Sequence, residues 1–157
     1  MLAPAFLGNM APPMLRFWTG WNPPIDEPLL GSHKSLGGFT AGVATAVAAA
    51  GLQAQWMPAS LALVDYRHWL PIGLALGLGA MSGDCVKSAI KRRRGKPPGS
   101  SWMPFDQLDF ITGALLFIAP VVNLPWAEVV GVLVFTFVAD IAVNRLAYRL
   151  GIKSTPW

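Results

Sequence analysis

Asp84, Lys87, Ser88 and Lys91 follow one another at i, i+3, i+4 and i+7. On a helix that spacing forms one polar stripe. A carboxylate and two ammonium groups along a stripe suit a metal–nucleotide complex, with the carboxylate holding Mg²⁺ and the lysines neutralising phosphate oxygens. Pro97-Pro98-Gly99 then ends the helix and turns the chain back. Asp106 and Asp109 follow, three apart, at the start of the next apolar run. At that spacing both carboxylates point to one side, and with Asp84 they form a set able to bridge one or two hard cations. Two plainer readings stand beside this one. Asp106 suits an N-cap, with Asp109 complementing the helix dipole. The basic run suits a helix end that fixes topology and touches anionic headgroups. No P-loop, HExxH or GxSxG motif accompanies these residues.

A second polar loop, Gly31-Ser32-His33-Lys34-Ser35-Leu36-Gly37-Gly38, stands just before an apolar run. Backbone N–H groups at the start of a helix form a natural phosphate site, and Lys34 and Ser35 are suitable ligands there. The plainer alternative is a small-residue loop with one snorkelling lysine. Asn9, Asp140 and Asn144 interrupt apolar runs. An intramembrane carboxylate is a functional hypothesis by default. For Asp140, pairing with a nearby arginine or hydrogen bonding between helices explains as much. His33 and His68 are assigned no metal role. Cys85, the one cysteine, excludes an intramolecular disulfide and reads as a small packing residue.

The elements that must position these groups follow from composition. Only 13% of the 157 residues are charged and 54% are hydrophobic, with mean hydropathy +0.47. A soluble domain carries roughly 25% charged residues, so a water-covered globule is disfavoured and a small all-α polytopic membrane protein is expected. Residues 1–157 read as one domain of about five transmembrane helices, near 2–18, 37–57, 60–83, 108–122 and 126–148. The third can start near Ala59 or continue beyond Asp84. Loops 19–36 and 84–107 are the two long polar segments. The first run lacks the basic start and small-residue cleavage site of a signal peptide. Five spans place eleven of the twelve basic residues on one side, leaving Arg67 alone on the other. The positive-inside rule then puts both polar loops and the C-terminus in the cytoplasm and the N-terminus outside. Tryptophans at the edges of apolar runs suit an interface belt better than base stacking, which argues against nucleic acid.

With these residues in place, the chain resembles the CDP-archaeol synthases, integral-membrane CTP-transferases distantly related to the CDP-diacylglycerol synthases. The resemblance is carried by Gly83-Asp84-x-x-Lys87-Ser88-x-x-Lys91-Arg92-Arg93, then Pro98-Gly99, then Phe105-Asp106-Gln107-x-Asp109. The N-terminal Pro4-Ala5 and Asn9-Met10-Ala11-Pro12-Pro13, the Gly31-Ser32-His33-Lys34 loop and the Gly151-Ile152-Lys153-x-x-Pro156-Trp157 ending match in order. The resemblance implies a five-helix enzyme with its active site on cytoplasmic loops. It implies Mg²⁺-dependent transfer of CMP from CTP to the phosphate of an isoprenoid-ether glycerol phosphate, with release of pyrophosphate. By the same resemblance Asp84, Asp106 and Asp109 are metal positions, and Lys87, Asp106 and Asp109 are catalytic positions. Lys34, Ser35, Lys87, Ser88, Lys91 and Arg92 are expected to contact CTP and its phosphates.

One departure stands out. The family's first loop reads Lys-Thr-Trp-Arg-Gly, and here it is Lys34-Ser35-Leu36-Gly37-Gly38. Ser35 keeps the hydroxyl, while the arginine, which supplies planar bidentate contacts to phosphate, is gone. Two alternatives remain at this stage. One is the same transfer to phosphatidic acid, since either lipid needs only an apolar groove and a phosphate site. The other is a non-catalytic helix bundle that binds anionic lipid or a partner through its basic loop. The pattern also leaves room for a homodimer.

Overall fold

In the computed structural model, which describes residues 1–15, 20, 22–58, 64–97 and 100–151, the regular elements among the described residues are all helical, with no strand. The helices are α1 (Ala3–Met14), α2 (Glu27–Leu30), α3 (Leu36–Trp56), α4 (Trp69–Arg93), α5 (Phe105–Ile118) and α6 (Trp126–Arg149). A 3₁₀ turn, Tyr66–His68, leads into α4.

Local chemistry sets most of these limits. Ser35 caps α3 by accepting the Gly38 N–H at 3.1 Å. Asp65 accepts the Arg67 N–H at 3.0 Å and so starts the 3₁₀ turn. Pro125 stands at the N-cap of α6, and Gly151, at φ 70°, follows its end. α5 begins at Phe105, three residues ahead of the expected 108. It stops at Ile118: Ala119 keeps helical φ/ψ and bonds back to the Leu115 carbonyl, but Pro120 has no N–H to continue the ladder.

The third span is corrected at its end. The loop expected from residue 84 begins instead at Arg94, since α4 continues through Arg93. Lys and Arg are good helix formers, and Lys91, Arg92 and Arg93 complement the dipole in the last turn. Gly95, at φ 69°, then reverses the chain in a conformation that favours glycine. The expected start at residue 60 lies outside the described residues, but Val64 and Asp65 are not helical. The expected end of the first span, residues 16–18, also lies outside them.

The packing order is α1 on α3, α3 on α4, α4 on α5 and α5 on α6. Without a hydrophobic driving force in lipid, helices associate through close backbone approach at small residues. The α4–α5 seam does this. A Cβ on Gly79 would land on the Gly113 carbonyl, and one on Gly83 would land on the Asp109 carbonyl. Ala5, Ile72, Leu76, Ala80, Ile111, Ala114 and Ile118 fill the rest of the core. α6 differs. Thr136 is its one buried residue, and Val130, Val134, Phe135 and Val138 face outward.

α3, the segment Tyr66–Arg93 and α6 are each long and apolar enough to cross a membrane. α1 has 12 residues and α5 has 14. At 1.5 Å per residue these reach about 18 and 21 Å, short of the ~30 Å hydrocarbon core.

Candidate active site

The polar stripe of α4 meets the first turn of α5 because the glycine seam holds the two helices together there. Lys87 Nζ lies 2.7 Å from Asp109 Oδ2, 3.2 Å from Asp84 Oδ1 and 3.3 Å from Asp106 Oδ1. Lys34, from the loop before α3, pairs with Asp84 Oδ2. Lys91 donates to Asp106 Oδ1 at 3.1 Å and Oδ2 at 3.3 Å, and also to the Ser100 carbonyl. Three ammonium groups and three carboxylates therefore alternate in one network with no net formal charge.

Asp106 is not an N-cap. Pro104 holds that position, and Asp106 Oδ2 instead accepts the backbone N–H of Trp102, which precedes the helix. The Asp106 carboxylate is thus held from three sides, by Lys91, by the Trp102 N–H and by Lys87. Asp109 Oδ1 accepts the Phe110 N–H at 2.7 Å.

The remaining expected site residues divide. Ser35 is committed to the α3 cap. Ser88 is buried and donates its hydroxyl to the Asp84 carbonyl at 2.9 Å. Arg92 turns back and donates from Nη2 to the Pro97 carbonyl at 3.2 Å. Lys34, Lys87 and the three aspartates come together, and Lys91 joins them in a buried position. Two residues that spacing did not single out contribute to the site's surroundings. Trp102 stacks on Phe105 with ring centroids 4.4 Å apart and carries Arg94 5.1 Å from its centroid. Gln107 is buried between the two aspartates in sequence, and its Oε1 has no partner among the described residues.

A small cleft beside Lys34 and Asp84 is lined by Pro12, His33, Ser35 and Cys85 among others. A far larger cavity of about 930 Å³ opens between α1, α5 and α6. Its wall is mainly apolar, with Asn9, Glu128, Thr136 and Asp140 as its polar members, and runs along α6 from Glu128 to Val143 and along α1 to Met10. Asp140, on that wall, accepts from Asn144 Nδ2 at 2.7 Å.

Hard carboxylate oxygens around one positive point are the donor chemistry a Mg²⁺ ion requires. The Lys87 ammonium holds that central point. Among the described residues no group of three or more His, Cys, Asp or Glu side chains is already disposed to hold an ion. The oxygens are of the type Mg²⁺ takes, but here they are held by lysines rather than converging on an ion.

A model of the CarS-like CDP-archaeol synthase family matches residues 25–157. The chain is 33% identical over 170 residues to the CDP-archaeol synthase of Methanosphaerula palustris, covering 99% of this chain and 100% of the relative. It is 37% identical over 173 residues to the CDP-archaeol synthase of Halorubrum lacusprofundi, covering 99% and 93%. A solved structure of an intramembrane enzyme for archaeal membrane lipids biosynthesis superposes with a TM-score of 0.75 at 30% identity. That match covers 91% of this chain and 89% of the other.

Proposed function

The chain belongs to the CDP-archaeol synthase family, and from that premise we propose that it transfers CMP from CTP to the phosphate of an unsaturated isoprenoid-ether glycerol phosphate. A lipid phosphate oxygen attacks the α-phosphorus of CTP, the bond to the β-phosphate oxygen breaks, and pyrophosphate leaves. The protein needs no covalent intermediate, because the lipid phosphate is itself the nucleophile. Its task is to hold two polyanions in line and to neutralise the charge that develops on the leaving group.

The observation that carries this reading is the meeting of Lys34, Lys87, Asp84, Asp106 and Asp109 at one end of the bundle. Lys34 and Lys87 exchange carboxylate partners for triphosphate oxygens. Asp84, Asp106 and Asp109 are then free to hold Mg²⁺, which supplies charge neutralisation on the triphosphate when bound. The apolar cavity supports a lipid substrate. The sixteen residues from Glu128 to Val143 along its α6 wall span about 22 Å, room for an extended isoprenoid chain. Met10 lines that cavity, and Pro12, two residues on, lines the cleft at Lys34 and Asp84, so a chain in one leads towards the other.

The membrane arrangement proposed with it has five spans, with α1 and α5 as the short ones. The basic loops and C-terminus face the cytoplasm, where CTP is made. The test uses purified protein in detergent with radiolabelled CTP, Mg²⁺ and either digeranylgeranylglyceryl phosphate or phosphatidic acid. Label extracted with the ether lipid, lost in Asp106→Asn and lost with chelator, is the expected result. Label in phosphatidic acid alone moves the assignment to acyl lipids, and label in neither rejects the enzyme reading.

A further inference from the structure

Lys87 and Lys91 lie one helical turn apart on α4, and the sequence pattern treats them alike. Their surroundings differ. The Lys34 side chain is 24% exposed, Lys87 16% and Lys91 8%. An ammonium group has three N–H donors. Lys91 Nζ faces the Ser100 carbonyl and both oxygens of Asp106, so its acceptors are already supplied. A phosphate reaching it would have to displace a carboxylate and a carbonyl from a site with almost no open face. Lys87 has carboxylate partners alone, each of which can turn to other cations.

The other groups around Lys91 show what it does. Asp106 Oδ2 also accepts the Trp102 N–H, so Lys91 and Asp106 together fasten residues 100, 102 and 106 to the last turn of α4. The Lys91 carbonyl accepts the Lys96 N–H at 3.0 Å, tying the chain leaving the helix to the same residue. α5 starts at Phe105, directly after this knot, and its first turn carries Asp106 and Asp109 to Lys87.

We infer that Lys91 is a positioning residue: it clips the 100–106 segment to α4 and thereby sets Asp106 and Asp109 around Lys87, without touching the triphosphate. This deepens the proposed transferase reading and rests on it. A chain without the clip still binds CTP through Lys34 and Lys87, but holds the carboxylates off line. A misplacement of about 1 Å costs on the order of 10²-fold in rate.

The first test uses the wild-type chain in detergent, with amine-reactive labelling read by mass spectrometry, with and without CTP and Mg²⁺. Lys34 is expected to react and to be protected by CTP. Lys91 is expected to stay unreactive in both conditions. The second test compares Lys91→Met, Lys91→Arg and Lys87→Met by calorimetric CTP affinity, kcat, KM and amide exchange. For Lys91→Met we expect CTP affinity within about threefold of wild type, kcat reduced by about 10²-fold and faster exchange over residues 100–106. Lys91→Arg, which keeps the charge, recovers part of the lost turnover, and Lys87→Met loses CTP affinity. Reaction of Lys91 that CTP suppresses would overturn the inference. So would a tenfold or greater affinity loss in Lys91→Met without faster exchange, and so would a Lys91→Met enzyme with unchanged kcat and exchange. Should Lys91→Met not fold, the wild-type labelling still decides. If the wild type neither binds nor turns over CTP, the transferase reading fails, while the ligand-free labelling and the exchange of 100–106 still report on the clip.

Discussion

Lys87 Nζ stands 2.7 Å from Asp109 Oδ2, a bond that crosses from α4 to α5 inside a seam closed by glycines. Removing one member of a buried ion pair leaves an uncompensated charge. Lys87→Met leaves Asp84, Asp106 and Asp109 facing one another with only Lys34 and Lys91 at the edges. It is expected to destabilise the protein by about 3 kcal/mol in urea unfolding in detergent. Lys87→Met/Asp109→Asn, which removes both charges, is expected to regain part of that loss and none of the turnover.

Gly83 tests the seam independently of charge. A Cβ there meets the Asp109 carbonyl, which is backbone and cannot turn aside. Gly83→Ala is expected to push α5 off α4 and lower CMP transfer by about 10²-fold while circular dichroism keeps its helical signal. Gly131→Ala, where a Cβ has open space, serves as the folding control, and its helical signal and Tm are expected to match wild type.

The altered first loop has a structural reason. Gly37 donates its N–H to Asn22 Oδ1 at 3.0 Å, and a Cβ on Gly37 would come within 2.6 Å of that same oxygen. An arginine here, as the family resemblance has it, would have to displace the Asn22 side chain and break its bond to the Gly37 N–H. Gly37→Arg alone is expected to leave CTP affinity unchanged or weaker. Gly37→Arg/Asn22→Gly is expected to tighten it about tenfold, the worth of one charge-assisted hydrogen bond, in a calorimetric titration.

Much of this arrangement was legible in the chain. The i, i+3, i+7 spacing of Asp84, Lys87 and Lys91 places them on one face whether or not anything else is known. Asp106 and Asp109 are marked by standing just ahead of an apolar run. What spacing cannot convey is which partner wins a group that has several suitors. Ser35 suits a phosphate and suits a cap equally, and the free Gly38 N–H three residues away takes it. Lys91 reads as a phosphate ligand until the returning chain delivers the Ser100 carbonyl. The Lys34–Asp84 pair joins residues fifty apart and depends on the order in which the helices pack. Composition alone cannot place the end of α4, because lysine and arginine suit a loop and extend a helix equally well.

The alternation of charge around Lys87 also has a history in time. Emerging from the ribosome in chain order, Lys34 comes first and Asp84 cancels it. Lys87 and Lys91 then remain unbalanced until α5 delivers Asp106 and Asp109. The half-made protein thus displays a surplus of lysine during the interval when basic residues decide which way a membrane chain is threaded. The finished one has folded Lys87 and Lys91 into a neutral knot, while Arg93 and Arg94, one turn further on, keep their charge at the surface.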